Sequence, residues 1–241
     1  MDSIISLKNL KKRFGKIEAL KGINLEIPAG ITYGLIGPNG SGKTTLIRIL
    51  VGISRAWEGS AEVLGRMMPD RKAANSIGYM TQALALYQDL TLEENLCFFG
   101  RIYGLSGSGL NRRVGALLEI VDLKERRASL VDELSSGMKR RASLACALMH
   151  EPKLLLLDEP TVGVDPELRI QFWEYFQKLT RAGATILVST HHLDEAWRCD
   201  RIGLLREGEV LVEGAPEDLR AEAGGETLDN TFLYFARRRG R

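Results

Sequence analysis

Two stretches of this sequence have the residue types and spacing to handle a nucleotide. GPNGSGKT, residues 37 to 44, sets Gly37, Gly40 and Gly42 around Pro38, Asn39 and Ser41, then adds Lys43 and Thr44, with Thr45 next in line. Glycines at that spacing let backbone N–H groups turn inward and cradle a phosphate. Lys43 can then reach the β- and γ-oxygens, and Thr44 can place its hydroxyl on Mg2+. The second stretch, KLLLLDEP at 153 to 160, is an apolar run ending in adjacent acids. Asp158 is placed to hold Mg2+ through water, and Glu159 to draw the proton from an attacking water as a general base. A phosphate loop alone serves kinases, GTPases, helicases and transport ATPases alike. Paired acids on a buried strand downstream point to hydrolysis rather than transfer to a second substrate.

LSSGMKRR, 134 to 141, is a further small-residue turn running into a basic helix, a form that suits an anion at a helix N-terminus. Taken alone it reads rather as an ordinary helix start capped by serine.

These residues need elements to hold them. IISLKNL and INLEIPAG alternate apolar and polar, which predicts short antiparallel strands on either side of a KKRFGK turn. ITYGLIG is a buried strand feeding the glycine loop, and TTLIRILVGI has helical spacing. AEVLG at 61 to 65 and SIGYMTQ at 76 to 82 predict two more strands. From about Leu86 to His150 the pattern is helical, broken at GLSGSG, so a helical lobe is inserted between strands. KLLLLDE, the amphipathic PELRIQFWEYFQKLTRAG and ATILVSTHH then restore an α/β rhythm, DEAWRCD begins another helix, and IGLLREGEVLVEGAP predicts a hairpin turning at Glu207 and Gly208. A short helix, a Gly224–Gly225 hinge and a tail ending ARRRGR, read as a solvated end, complete the chain. The sequence carries neither an internal repeat nor a low-complexity segment.

The totals set outer limits. A chain of 241 residues predicts one domain with lobes rather than two independent domains, and 44% hydrophobic with 27% charged residues is ordinary globular composition. A net charge of +2 neither favours nor excludes nucleic acid. Cys97, Cys146 and Cys199 are odd in number and form no CxxC pair, which predicts buried thiols in a reducing compartment rather than disulfides or zinc. The N-terminus lacks a signal-peptide pattern, and no apolar run approaches the ~18 residues needed to span a bilayer, so a membrane role requires a partner.

With these motifs in this order, residues 4 to about 214 resemble the nucleotide-binding subunit of ATP-binding cassette (ABC) transporters. The resemblance implies an α/β fold: a P-loop NTPase core with a mostly parallel sheet, an N-terminal antiparallel β subdomain and an inserted helical subdomain. It makes 1–241 a single ATPase domain, with the helical subdomain at about 86–150 and a tail at about 215–241. It implies ATP and Mg2+ as ligands, and it makes LSSGMKRR the signature motif, whose Ser135, Ser136 and Gly137 bind the γ-phosphate of ATP held by another subunit in a head-to-tail dimer. By the same resemblance Phe14 stacks on adenine, Gln82 contacts Mg2+ and the water, Asp165 crosses the dimer interface, and His191 bonds the γ-phosphate and aligns Glu159. Ser136 stands where the family usually has glycine, Met138 where it has glutamine and Phe14 where tyrosine is commoner; none of these removes a group from the hydrolytic centre. ALALYQDLTLEEN, after Gln82, either lines a groove for the membrane subunit or is an ordinary packing surface. The implied partners are a transmembrane permease subunit and a second ATPase subunit, identical or related, with no nucleic acid. The implied location is peripheral, at the cytoplasmic face of the membrane. The ending GAPEDLR…TLDNTFLYFA and the short chain resemble the ABC-2 export group. A soluble ABC ATPase, of the iron–sulfur assembly or complex-remodelling kind, is the alternative.

Overall fold

The structure is a computed structural model and describes residues 3–225 and 227–238. Its centre is a six-stranded sheet in the order β10-β9-β3-β8-β7-β6. Three of its four inner strands, β3 (Thr32–Ile36), β7 (Leu154–Asp158) and β8 (Thr185–Thr190), are buried at every residue. Such uniformly apolar runs are what a parallel sheet covered on both faces requires. β6 (Ile77–Met80) flanks β7, and β9 (Arg201–Arg206) pairs with the other side of β3, all in parallel. β10 (Glu209–Gly214) returns antiparallel through a two-residue turn at Glu207 and Gly208, both at positive φ (51° and 82°), the hairpin expected there.

The alternating pleat divides the core in two. Leu154 and Leu156 of β7 join Tyr33, Leu35, Leu187 and Leu205 on one face; Leu155 and Leu157 join Ile186, Val188, Ile202 and Leu204 on the other. The first face carries α1 (Lys43–Leu50) and an antiparallel sheet in the order β2-β1-β4-β5. Its strands are β1 (Ser3–Phe14), β2 (Ile17–Pro28), β4 (Glu58–Val63) and β5 (Arg66–Met67), followed by the single turn α2 (Arg71–Ala74). The second face carries the helical lobe, inserted between the neighbouring strands β6 and β7. The lobe consists of α3 (Leu92–Ile102), α4 (Gly107–Ile120), two 3-10 turns (Lys124–Arg126 and Val131–Glu133) and α5 (Ser136–Leu148). α6 (Pro166–Arg181) packs on the same face through Leu168, Phe172, Trp173 and Phe176. α7 (Leu193–Ala196), α8 (Pro216–Ala223) and α9 (Leu228–Arg238) follow.

Several local expectations are revised. β1 and β2 are twelve residues each and β1 runs through KKRF, so the turn is only Gly15 and Lys16; antiparallel pairing continues to Phe14–Ile17. Residues 86–90 are irregular, and α3 starts after Thr91, whose hydroxyl and Glu94 form a reciprocal capping box. The break in GLSGSG is confined to Gly104–Ser106, because Gly107–Gly109 already belong to α4. DEAWRCD contributes to a single turn, and Gly224 is the left-handed C-cap of α8 (φ 61°) rather than a free hinge. Of ARRRGR, residues 239–241 lie outside the described residues. All three cysteines are free thiols, and burial pushes those of Cys146 and Cys199 well above their ordinary pKa. Among the described residues no helix is long and apolar enough to cross a membrane.

Candidate functional site

β3 delivers the chain at Ile36 into the loop 37–42, and α1 begins at Lys43. Two glycines are imposed by the surroundings. A Cβ on Gly37 would lie 2.1 Å from the Leu205 carbonyl oxygen, and Gly42 caps α1 at φ 111°, a conformation closed to other residues. Glycine as the cap brings no side chain of its own to the first N–H groups of α1, which suits them and the helix dipole to an anion. Lys43 is 5% exposed. Its Nζ donates to the Gly37 carbonyl at 2.7 Å and the Pro38 carbonyl at 3.2 Å, and stands 3.4 Å from Glu159 Oε1.

The acids reach the same place from β7. Parallel pairing sets Asp158 opposite Ser189 of β8. Ser189 Oγ donates to Asp158 Oδ1 at 2.6 Å and accepts the Glu159 N–H at 3.1 Å, so one hydroxyl fixes both acids. Ser189 was not foreseen, because a serine inside ATILVST carries no signal until the strand register is known. Glu159 turns at φ 53°, a left-handed backbone unusual for a side chain this size and typical of strained functional positions. The turn brings Glu159 Oε2 to 3.1 Å from Nδ1 of His191, which follows β8 directly. His192 is the N-cap residue of α7, its ring 4.1 Å from that of His191.

Ala19, Asn39, Gly40, Gly42, Lys43, Thr44, Thr45, Gln82 and Glu159 line one cleft of about 230 Å³. The donor set fits a hard divalent cation. Thr44 and Gln82 offer oxygens to the cleft, and Asp158, fully buried beside Glu159, has its Oδ2 without a hydrogen-bond partner among the described residues. The glycine cradle and Ser41 Oγ, which has no hydrogen-bond partner among the described residues, fit a phosphate chain in the same way.

Other expected site residues stand apart from this cleft. Phe14 is 54% exposed at the end of β1, with Lys12 Nζ 5.0 Å from its ring centroid. Ser135 caps α5, its Oγ accepting the Met138 N–H at 3.3 Å, and Ser136 and Gly137 open that helix without lining the cleft. Asp165 caps α6, accepting the Leu168 N–H at 3.0 Å. Arg140 on α5 is a further unforeseen contributor. Its Nη1 donates to the Thr81 carbonyl at 3.4 Å, next to Gln82. Burial lowers its pKa, and the charges of Glu159 and Asp158 act in the opposite direction.

Residues 20–162 match the ABC transporter family. Over 239 residues the chain is 40% identical to the probable multidrug ABC transporter ATP-binding protein YbhF of Escherichia coli (strain K12), covering 96% of this chain and 41% of that protein. The chain therefore spans about two-fifths of that relative's length. It is 39% identical to the linearmycin resistance ATP-binding protein LnrL of Bacillus subtilis (strain 168), covering 93% of this chain and 73% of that one. It is 41% identical to the Nod factor export ATP-binding protein I of Burkholderia lata, covering 93% and 75%. Among solved structures, an ATP-binding subunit of an ABC transporter superposes with a TM-score of 0.89 at 31% identity, covering 97% of this chain and 100% of that one. A dimeric ATP-binding cassette in a post-hydrolysis state bound to ADP and Pi gives a TM-score of 0.81 at 30% identity, covering 88% and 98%.

Proposed function

The chain belongs to the ABC transporter family, and from that premise we propose that it is the energy-coupling subunit of an exporter, with the reaction carried by the residues around the glycine loop. It binds ATP and hydrolyses it. Residues 1–241 act as one ATPase domain, with the lobe at about 86–150 as its helical subdomain and about 215–241 as its tail. The observation that carries the assignment of residues is the convergence of Lys43, Glu159 and His191 from three separate elements, at 3.4 Å and 3.1 Å.

In this reading the loop N–H groups of 37–45 and the Lys43 ammonium hold the β- and γ-phosphates. Thr44, Gln82 and Asp158 would hold Mg2+, which when bound offsets charge on the phosphate oxygens. Glu159 accepts a proton from water as the water oxygen attacks the γ-phosphorus and the bond to the ADP oxygen breaks in line. His191 keeps the Glu159 carboxylate aimed, so that positioning as much as basicity lowers the barrier. Phe14 supplies a face for adenine.

ABC ATPase subunits dimerise and work with transmembrane permeases. Here Ser135, Ser136, Gly137 and Asp165 serve a second subunit, identical or related, whose ATP they close over. That leaves them outside their own chain's cleft without contradiction. The permease places the pair at the cytoplasmic face of the membrane. The names of YbhF, LnrL and the Nod factor protein support export as the direction, and nothing among them favours a soluble remodelling ATPase.

The test is to tag the chain with Glu159→Gln, solubilise source membranes gently with ATP present, and identify the co-purifying proteins by mass spectrometry. A polytopic membrane protein in near-equal amount is the expected result. Recovery only from the soluble fraction, with soluble partners or none, overturns the transporter reading.

A further inference from the structure

β8 passes through Thr190 to His191 and on into the single turn of α7, so whatever fixes α7 also fixes the histidine. On α7, Glu195 is 1% exposed, and neither of its carboxylate oxygens has a hydrogen-bond partner among the described residues. A charged carboxylate buried in that way is costly unless a cation faces it. The cation is Arg169 of α6. Its Nε stands 3.9 Å from Glu195 Oε1, and its Nη1 stands 3.6 Å from Asp194 Oδ2. Arg169 Nε is itself buried without a hydrogen-bond partner among the described residues, and this guanidinium faces both acids of α7.

Each end of the contact connects to the site. Arg169 N donates to the Asp165 carbonyl at 3.0 Å, one turn into α6. Glu195 N donates to the His192 carbonyl at 3.3 Å, which ties the acid to the residue next to His191. A line of contacts therefore runs from Asp165 through Arg169, Glu195 and His192 to His191 and Glu159.

We propose that Arg169 is a positioning residue for ATP hydrolysis: by gripping Asp194 and Glu195 it sets His191 at its distance from Glu159 and ties that distance to α6 and Asp165. The inference rests on Glu159 and His191 being the hydrolytic pair. The rigid fork of a guanidinium can face two neighbouring carboxylates at once, which a single ammonium does less well. A structural role alone would account for Glu195. It would leave no reason for hydrolysis to depend on Arg169 once Glu195 is made neutral.

The experiment compares the full-length wild type with Arg169→Met, Arg169→Lys and the double variant Arg169→Met/Glu195→Gln, measuring Tm, and kcat and KM for ATP hydrolysis. The double variant removes the stranded charge, so it restores the fold without restoring the grip. In that variant Tm returns to near the wild-type value. Its kcat stays about 10–10²-fold down with KM little changed, since a misplacement of about 1 Å can cost about 10²-fold and smaller ones less. Arg169→Lys recovers part of kcat. Recovery of kcat together with Tm in the double variant overturns the proposal, and so does a loss confined to KM; should a single variant fail to fold, the double variant decides. Glu159→Gln, run alongside, tests the premise separately. If that variant hydrolyses ATP normally, the assignment of the hydrolytic pair fails. If it is inactive while the Arg169 variants match wild type, only the positioning role fails.

Discussion

The loop at 37–44 and the turn at 134–141 are both small-residue entries into a helix, yet their surroundings are opposite. Gly37 is walled in: an added Cβ would meet a backbone oxygen at 2.1 Å. At Gly137 the nearest atom to such a Cβ is the Gly163 carbonyl oxygen at 3.8 Å, an ordinary contact. Lys43 is 5% exposed and engaged by carbonyls and Glu159, whereas Ser135 simply caps its own helix. The first motif is therefore constrained by its own chain. The second meets no such constraint from within, and a need for small residues there has to come from outside, as a second subunit closing over the turn would impose.

Substitution can break or sharpen that contrast. The largest effect is expected from Gly37→Ala, where backbone must move: stability falls by about 3 kcal/mol, read as Tm, and nucleotide binding is lost. Glu159→Gln comes next, with kcat down about 10²–10⁴-fold and ATP still retained on filters or by calorimetry. Gly137→Ala should leave the isolated chain as stable or up to about 1 kcal/mol more so, since alanine favours the helix. It should nevertheless abolish ATP-dependent dimerisation in size-exclusion chromatography. Equal destabilisation of the isolated chain by Gly37→Ala and Gly137→Ala would erase the distinction drawn here. The smallest effect is that of Ser135→Ala, which costs about 1 kcal/mol for the lost cap, or about 2–4 °C in Tm.

What could be read from the sequence was what is local. The glycine loop, the acids after KLLLL and the Glu207–Gly208 turn each depend on a few neighbouring residues, and each stands where its pattern indicates. The length of β1 and β2 was missed because KKRF has a polar surface, while its strand conformation comes from pairing with residues 17–21. Ser189 and Arg140 were missed for a related reason. One is selected by the register of β8 against β7, the other by the way α5 folds back toward residue 81. The pairing of Arg169 with Glu195 unites residues that a helix and a whole strand separate in the chain. Sequence periodicity placed both of them only as polar positions on helices.

β3 has its partners far along the chain, β8 on one side and β9 on the other, and the wall against Gly37 is the carbonyl of Leu205. A growing chain thus displays the glycine loop long before that wall exists. At about 5–20 residues per second of synthesis the delay is on the order of ten seconds. ATP cannot assist the early folding of a site whose wall has yet to be translated, and the exposed apolar edge of β3 must be protected meanwhile. Damage to residues 201–206, none of which lines the cleft, should therefore surface as nascent chains that never acquire nucleotide.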